Sequence, residues 1–249
     1  MKKTSILYLF LLFSHFSFAA SSVLVWPILQ TIQASQSSNA LWLENRGDQP
    51  VHMQIRILGW QQKDFQNIYN DQSEVIASPP FAVIAPQQRQ LIRLIRIAPP
   101  PVSGEKPFRI ILDELPDESK TIKSDTAGLR FRMRYVLPLF LTSSSDNGRP
   151  LNENYKSETQ LSWKIIRQNG EPLVEIRNQG DVHARLTNVF WGRKADPKDA
   201  SLTLANGFLG YVLPGASMRF SLPSGKMPPA NETLFAQLTD NGPFVAITP

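Results

Sequence analysis

The chain has 249 residues, a formal charge of +5 and no cysteine. The missing cysteines exclude thiol nucleophiles, Cys-ligated metals and a disulfide scaffold. The small positive balance is compatible with acidic proteins or acidic surfaces and by itself selects no partner.

The chain begins MKKTSILYLFLLFSHFSFAA. Lys2 and Lys3 precede an apolar run, Ile6 to Phe18, and the small residues Ala19 and Ala20 follow, which is the layout of a secretory signal. The run is interrupted by Ser14, His15 and Ser17 and falls short of the roughly 20 apolar residues a membrane span needs. Residues 1–20 are therefore expected to be a signal peptide. About 230 residues remain, enough for one large domain or two sandwiches of roughly 100 residues each. No later segment is apolar enough to cross a bilayer, so the mature protein is expected not to insert into the membrane. Export argues against nucleic acid as a partner.

Strand patterns follow in chain order. VLVWPILQTI (Val23 to Ile32) and ALWLEN (Ala40 to Asn45) come first. PVHMQIRI then alternates Val51, Met53, Ile55 and Ile57 against His52, Gln54 and Arg56, the two-residue period of a strand. QLIRLIRI (Gln90 to Ile97) and FRIILDEL (Phe108 to Leu115) continue the series, separated by NRGDQP, SPP and APPPVSGEKP. Twenty prolines argue against long helices. Many short strands at this spacing indicate an all-β sandwich.

LRFRMRY (Leu129 to Tyr135) alternates without a slip, with Leu129, Phe131, Met133 and Tyr135 on one side and Arg130, Arg132 and Arg134 on the other. The apolar row either faces the chain's own core or is open to a partner, and alternation alone leaves both readings standing. The arginine row reads as a solvated face that discourages self-pairing of a long edge.

TSSSDNGRPLNENYKSE marks a boundary after Leu141. Strand signals resume at QLSWKII (Gln160 to Ile166), PLVEIRN, HARLTNVFW, SLTLA, SMRFSLP and LFAQLTD. A faint repeat links the halves: LENRGDQPVHMQI (Leu43 to Ile55) and EIRNQGDVHARL (Glu175 to Leu186) both run strand, Asn, Gly-Asp turn, Val-His, strand. Shared turn chemistry accounts for part of this likeness, since Asn and Gly tolerate left-handed backbone. Its place in each half favours two related sandwiches in tandem.

No enzyme signature is present. His52 and His183 hold equivalent places in the repeat and read as structural, because triads and metal sites need several convergent groups. PSGK (Pro223 to Lys226) lacks the earlier glycine of a phosphate loop, and NET at Asn231 is a weak sequon match. Asp113 and Glu114 are adjacent, so on a strand they face opposite ways and form no catalytic pair. No catalytic residue, cofactor or metal is expected.

In their order and spacing, VLVWPILQTI, ALWLENRGDQPVHMQIRI, PPFAVIAPQQRQLIRLIRI, KPFRIILDELP, the loop DESKTIKSDTAG and LRFRMRYVLPLFL resemble a periplasmic chaperone of the chaperone–usher pathway that assembles fimbriae (pili) on Gram-negative bacteria. The Trp-Pro pair in the first strand, the lack of cysteine and the YVLPLFL ending resemble the archaic branch. The resemblance implies an all-β fold of two immunoglobulin-like β-sandwich domains in an L-shaped arrangement: residues 21–141, a linker and start of the second unit over 142–159, and residues 160–249. It implies a non-enzymatic, ATP-independent periplasmic chaperone whose partners are incomplete pilus subunits and an outer-membrane usher. Its donor row would be Leu129, Phe131, Met133, Tyr135 and Leu137.

The best-known members of the family it resembles anchor the subunit's C-terminal carboxylate with two basic residues, one on the first strand and one near the end of the donor strand. Here Val23 to Ile32 contains no Lys or Arg, and the second position falls at or beside Pro138. Arg109, expected near the inter-domain cleft, is the first candidate anchor. Arg93 is the second, because a charge inside the apolar run QLIRLIRI implies burial and a partner. An internal ion pair is the alternative for both. Glu114 and Asp240 resemble acidic positions that hold the two domains at a fixed angle. The competing reading is a secreted adhesion or carbohydrate-binding sandwich using Trp60, Trp163 or Trp191, which the apolar strand pattern around each assigns to core instead.

Overall fold

The computed structural model describes residues 23–116, 132–143, 160–223 and 226–249. The expected signal, Leu129 to Phe131 and most of the expected linker lie outside these residues. The first half holds β1 (Val23–Trp26), β2 (Gln30–Ile32), β3 (Ser38–Asn45), β4 (Val51–Lys63), β5 (Gln66–Asn70), β6 (Val75–Ser78), β7 (Phe81–Ile84), β8 (Arg89–Arg96), β9 (Glu105–Leu115) and β10 (Arg134–Thr142). The second holds β11 (Leu161–Gln168), β12 (Glu171–Asn178), β13 (Ala184–Gly192), β14 (Ala200–Val212), β15 (Ser217–Ser221), β16 (Thr233–Gln237) and β17 (Phe244–Ile247).

These strands form two β-sandwiches, as the strand pattern and the repeat led us to expect, and both are immunoglobulin-like, as the resemblance implies. In the first, a sheet ordered β1-β3-β8-β6 faces one ordered β2-β10-β9-β4-β5, with β7 also on β4. In the second, β11-β12-β15 faces β14-β13-β16-β17. Alternation decides what each sheet buries. On β4, Val51, Met53, Ile55 and Ile57 enter the core while His52, Gln54 and Arg56 face outward. Each sandwich has its own core, one including Ile32, Leu41, Ile92 and Leu139, the other Val174, Ile176, Trp191 and Leu234.

The sequence repeat is one turn built twice. The Asn45 amide is fully buried and donates to the carbonyls of Gln49 (2.7 Å) and Ile84 (2.9 Å), while its oxygen accepts from Gly47 N–H (2.9 Å). Asn178, also fully buried, donates to Val182 (2.8 Å) and Val212 (2.9 Å) and accepts from Gly180 N–H (2.9 Å). Each side chain closes its own turn and pins a strand distant in sequence, satisfying buried backbone groups that would otherwise be costly.

The sandwiches meet through a third apolar cluster, Trp60, Phe140, Tyr211 and Leu213. Trp60 is buried, as its strand pattern implies, and the cluster that buries it lies at the junction of the two sandwiches. The cause is the length of β4, which runs past its own core and carries Trp60 and Gln62 to the second sandwich. There Gln62 Nε2 donates to the Tyr211 carbonyl (2.8 Å), and its Oε1 accepts from Leu213 N–H (2.8 Å). At the hairpin tip, Phe65 lies under the Arg219 guanidinium at 3.4 Å.

Candidate functional site

β10 has an unusual edge. Along one side it pairs with β9 from Arg134 to Thr142. Along the other, β2 joins it in parallel only at Leu139, Phe140 and Leu141. From Arg134 to Pro138 that side has no strand partner among the described residues, so its backbone groups form an open template.

The two rows of β10 part company along its length. Leu137, Leu139 and Leu141 are buried in the first core, and Tyr135 packs against it with its hydroxyl donating to the Val23 carbonyl (2.8 Å). Leu137 thus belongs to the chain's own core, which takes it out of the open row. Met133, next outward in the same row, is 43 % exposed. Leu129 and Phe131 continue the row in sequence but lie outside the described residues. On the other row Arg134 pairs with Asp113, which Arg56 also binds at 2.8 Å. Burial pushes the Asp113 carboxyl up, but these two guanidinium hydrogen bonds outweigh it and hold it below its ordinary value.

At its inner end β10 enters the domain junction. Pro138 is the register partner of Arg109 on β9. The Arg109 guanidinium lies 3.5 Å over the Trp60 ring and 5.3 Å from that of Tyr211. It is 9 % exposed, its Nε has no hydrogen-bond partner, and no carboxylate pairs with it among the described residues. Burial accordingly lowers its pKa. A buried guanidinium held by aromatic faces and short of an anion is set up to take a carboxylate. It stands beside the position where the donor-strand anchor falls in the sequence.

Three other expectations are corrected. Arg93 is exposed: Ile92 and Leu94 point into the core, so strand alternation turns Arg93 to the outer face of the opposite sheet, away from β10. Glu114 does not bridge the sandwiches. Its carboxylate accepts from Met133 N–H (3.2 Å), and its own N–H donates to the Met133 carbonyl (3.0 Å), so it clips the entry to β10. Asp240 stays within the second sandwich, accepting from Arg185 at 2.7 Å.

An acidic residue that does cross went unread in the sequence. Glu105, in a stretch that read as a turn, accepts from both the backbone N–H (2.7 Å) and Nδ1 (2.9 Å) of His183. The His183 ring stacks on Phe140 with centroids 3.7 Å apart. His183 is structural, as expected, but at the junction. No sequence signal linked these residues, which are 78 positions apart. Trp60 and Trp191 are 2 % and 0 % exposed, leaving neither free to stack on a sugar.

Residues 28–144 match the family described as pili and flagellar-assembly chaperone, PapD N-terminal domain. No curated protein matches the sequence. Among solved structures, the chain is similar over 92 % of its length to 99 % of a chain in the CsuC–CsuE chaperone–tip adhesion subunit pre-assembly complex, from archaic chaperone–usher Csu pili of Acinetobacter baumannii, at 26 % identity and a TM-score of 0.70. The fold is shared with a chain of the Salmonella enterica SafA pilin–SafB chaperone complex (15 % identity, 93 % and 98 % covered, TM-score 0.64) and with the E. coli chaperone DraB (17 %, 91 % and 96 %, 0.60). The first sandwich thus carries the match to the pilus-assembly chaperone family, and the likeness to the archaic-pilus chaperone complex extends over both.

Proposed function

We propose that this chaperone folds, caps and delivers pilus subunits to an outer-membrane usher by donor-strand complementation, without ATP. A subunit whose sandwich lacks its last strand exposes an apolar groove and two unpaired edges, which invite aggregation. The chaperone fills the gap with residues 129–135: backbone groups complete the ladder and alternate side chains enter the groove. The observation that carries this reading is the open side of β10 from Arg134 to Pro138, with Met133 leading outward from the buried row. Leu129, Phe131 and Met133 are the donors, Tyr135 the base of the row. Each large apolar side chain buried contributes about 1.5–3 kcal/mol, less the cost of ordering.

Arg109 is the carboxylate anchor, and the exposed position of Arg93 on the opposite sheet removes Arg93 from that role. The solved relatives complexed with a pilin and a tip adhesion subunit support the class of partner. The reading puts the mature protein in the periplasm, in keeping with the export signal read in residues 1–20, and makes 142–159 the link between the domains.

Coexpression with a small β-rich pilus subunit that aggregates alone tests the proposal. A 1:1 complex should be recovered. Replacing Phe131 and Met133 together with Asp should abolish it while the chaperone still unfolds at its normal temperature. A complex that survives this double change refutes the donor assignment. Arg109→Ala should weaken capture about tenfold, the loss of a charge-assisted hydrogen bond, and Arg93→Ala should leave it unchanged.

A further inference from the structure

The two sandwiches grip Trp60 from two sides. On one side β4 reaches over, with Gln62 bound to the Tyr211–Leu213 backbone and Phe65 under Arg219. On the other, Glu105 meets His183. The Glu105 side chain is fully buried and that of His183 is 9 % exposed. Both Glu105 oxygens lie 2.9 Å from Nδ1, and Oε1 also takes the His183 backbone N–H. Next to it the two backbones abut: Gly104 has φ +60°, and a Cβ there would come within 2.7 Å of the Asp181 carbonyl. A carboxylate buried this deeply is tolerated only while its partners stay in place.

The pair connects to the anchor through aromatic rings. His183 lies flat on Phe140, at an interplanar angle of 3°. Phe140 packs on Trp60 at 6.0 Å and on Tyr211 at 6.1 Å. The Trp60 ring in turn carries the Arg109 guanidinium. Neither Glu105 nor His183 touches Arg109. We propose that Glu105 and His183 form a latch of positioning residues: by seating the second sandwich against Phe140, they hold the Trp60 ring in place and with it the Arg109 guanidinium at the junction. The role of this latch in capture rests on Arg109 being the carboxylate anchor; the holding of Arg109 does not. Because the Gln62 and Phe65 contacts remain when the latch is cut, the domains stay tethered and the change is one of geometry.

The Arg109 Nε–H has no hydrogen-bond partner, so its NMR resonance reports the ring current of Trp60. In the full chain it should be displaced upfield. In Glu105→Ala and in His183→Ala, that displacement should fall by at least half while both sandwiches keep their strand-amide exchange protection. His183→Phe keeps the ring stack without the hydrogen bonds and should give an intermediate value. If Glu105→Ala fails to fold, Glu105→Gln is read in the same way, with a smaller loss. A displacement that persists in the folded Glu105 variant and in His183→Ala overturns the latch.

The ligand side uses N-acetyl-phenylalanine, as free acid and as amide, titrated against the same resonance. The intact chain should respond to the acid at a concentration at least fivefold lower than to the amide, and the latch variants should show less than a twofold difference. Equal response to acid and amide in the intact chain, with the displacement still lost in the variants, refutes the carboxylate anchor and leaves the latch standing.

Discussion

The Asn45 and Asn178 turns are nearly superimposable in chemistry, yet the histidines downstream of them end in different surroundings. Both amides bond two carbonyls and one N–H with lengths between 2.7 and 2.9 Å. After the first turn, His52 lies on the outer face of β4, opposite Val83 and Leu115. After the second, His183 stops short of β13 and turns into the domain junction. A local motif reproduces a local structure faithfully, while the use made of the next residue depends on what packs there.

The largest expected effects test the equality of the turns. Asn45→Ala and Asn178→Ala each remove three hydrogen bonds, including those to the carbonyls of Ile84 and Val212 in strands distant in sequence, at about 1–3 kcal/mol for each buried group left unsatisfied. Each should destabilise its own sandwich by several kcal/mol and the other by much less, as read by hydrogen exchange resolved over the two halves. A cost confined to one of the pair would break the comparison.

Next come the glycines. Gly104 and Gly170 both have positive φ, but Gly170 is open, with nothing within 4 Å of an added Cβ, whereas Gly104 faces Asp181 across the junction. Gly170→Ala should cost about 1 kcal/mol, the backbone term alone. Gly104→Ala should cost more and, unlike Gly170→Ala, should weaken subunit capture. Calorimetry and a pull-down separate the two.

The acids form another matched pair. Burial pushes Glu175 up, but Arg219 and Lys164 hold it below its ordinary value, as Arg134 and Arg56 hold Asp113. A depressed carboxylate contributes stability that is present above its unfolded pKa, about 4, and is lost as pH falls through the lower folded value. Each sandwich should therefore lose a small increment of stability below about pH 4, and Asp113→Asn or Glu175→Gln should flatten that part of the pH–melting curve for its own sandwich. The partner cations are partly exposed, so the increment is modest. The smallest effect belongs to His52→Ala, which should stay within about 0.5 kcal/mol in a denaturant titration, against a clear loss for His183→Ala.

Several of these features were legible in the amino-acid order. Alternation put Val51, Met53, Ile55 and Ile57 on one face, and the Asn-Gly-Asp repeat marked both turns. Arg93 shows where a composition argument fails: an arginine in an apolar run read as buried, although its parity places it outside Ile92 and Leu94. Leu137 continues the row of Met133 yet falls inside the first core. Parity names the row, but only the extent of the sheet says where core ends and open edge begins.

The sequence by itself determined the all-β class, the rows of each strand, the paired turns and the alternation of Leu129 to Tyr135, because these depend on neighbours one to four positions away. The tertiary structure alone decided that Trp60 and Phe140 are covered by a second sandwich, that Arg109 lies on an aromatic face with no carboxylate partner among the described residues, and that Glu105 finds His183. A strand's period fixes which side chains share a face. Whether that face meets water, core or another domain is set by chain segments remote in sequence, here 78 residues away.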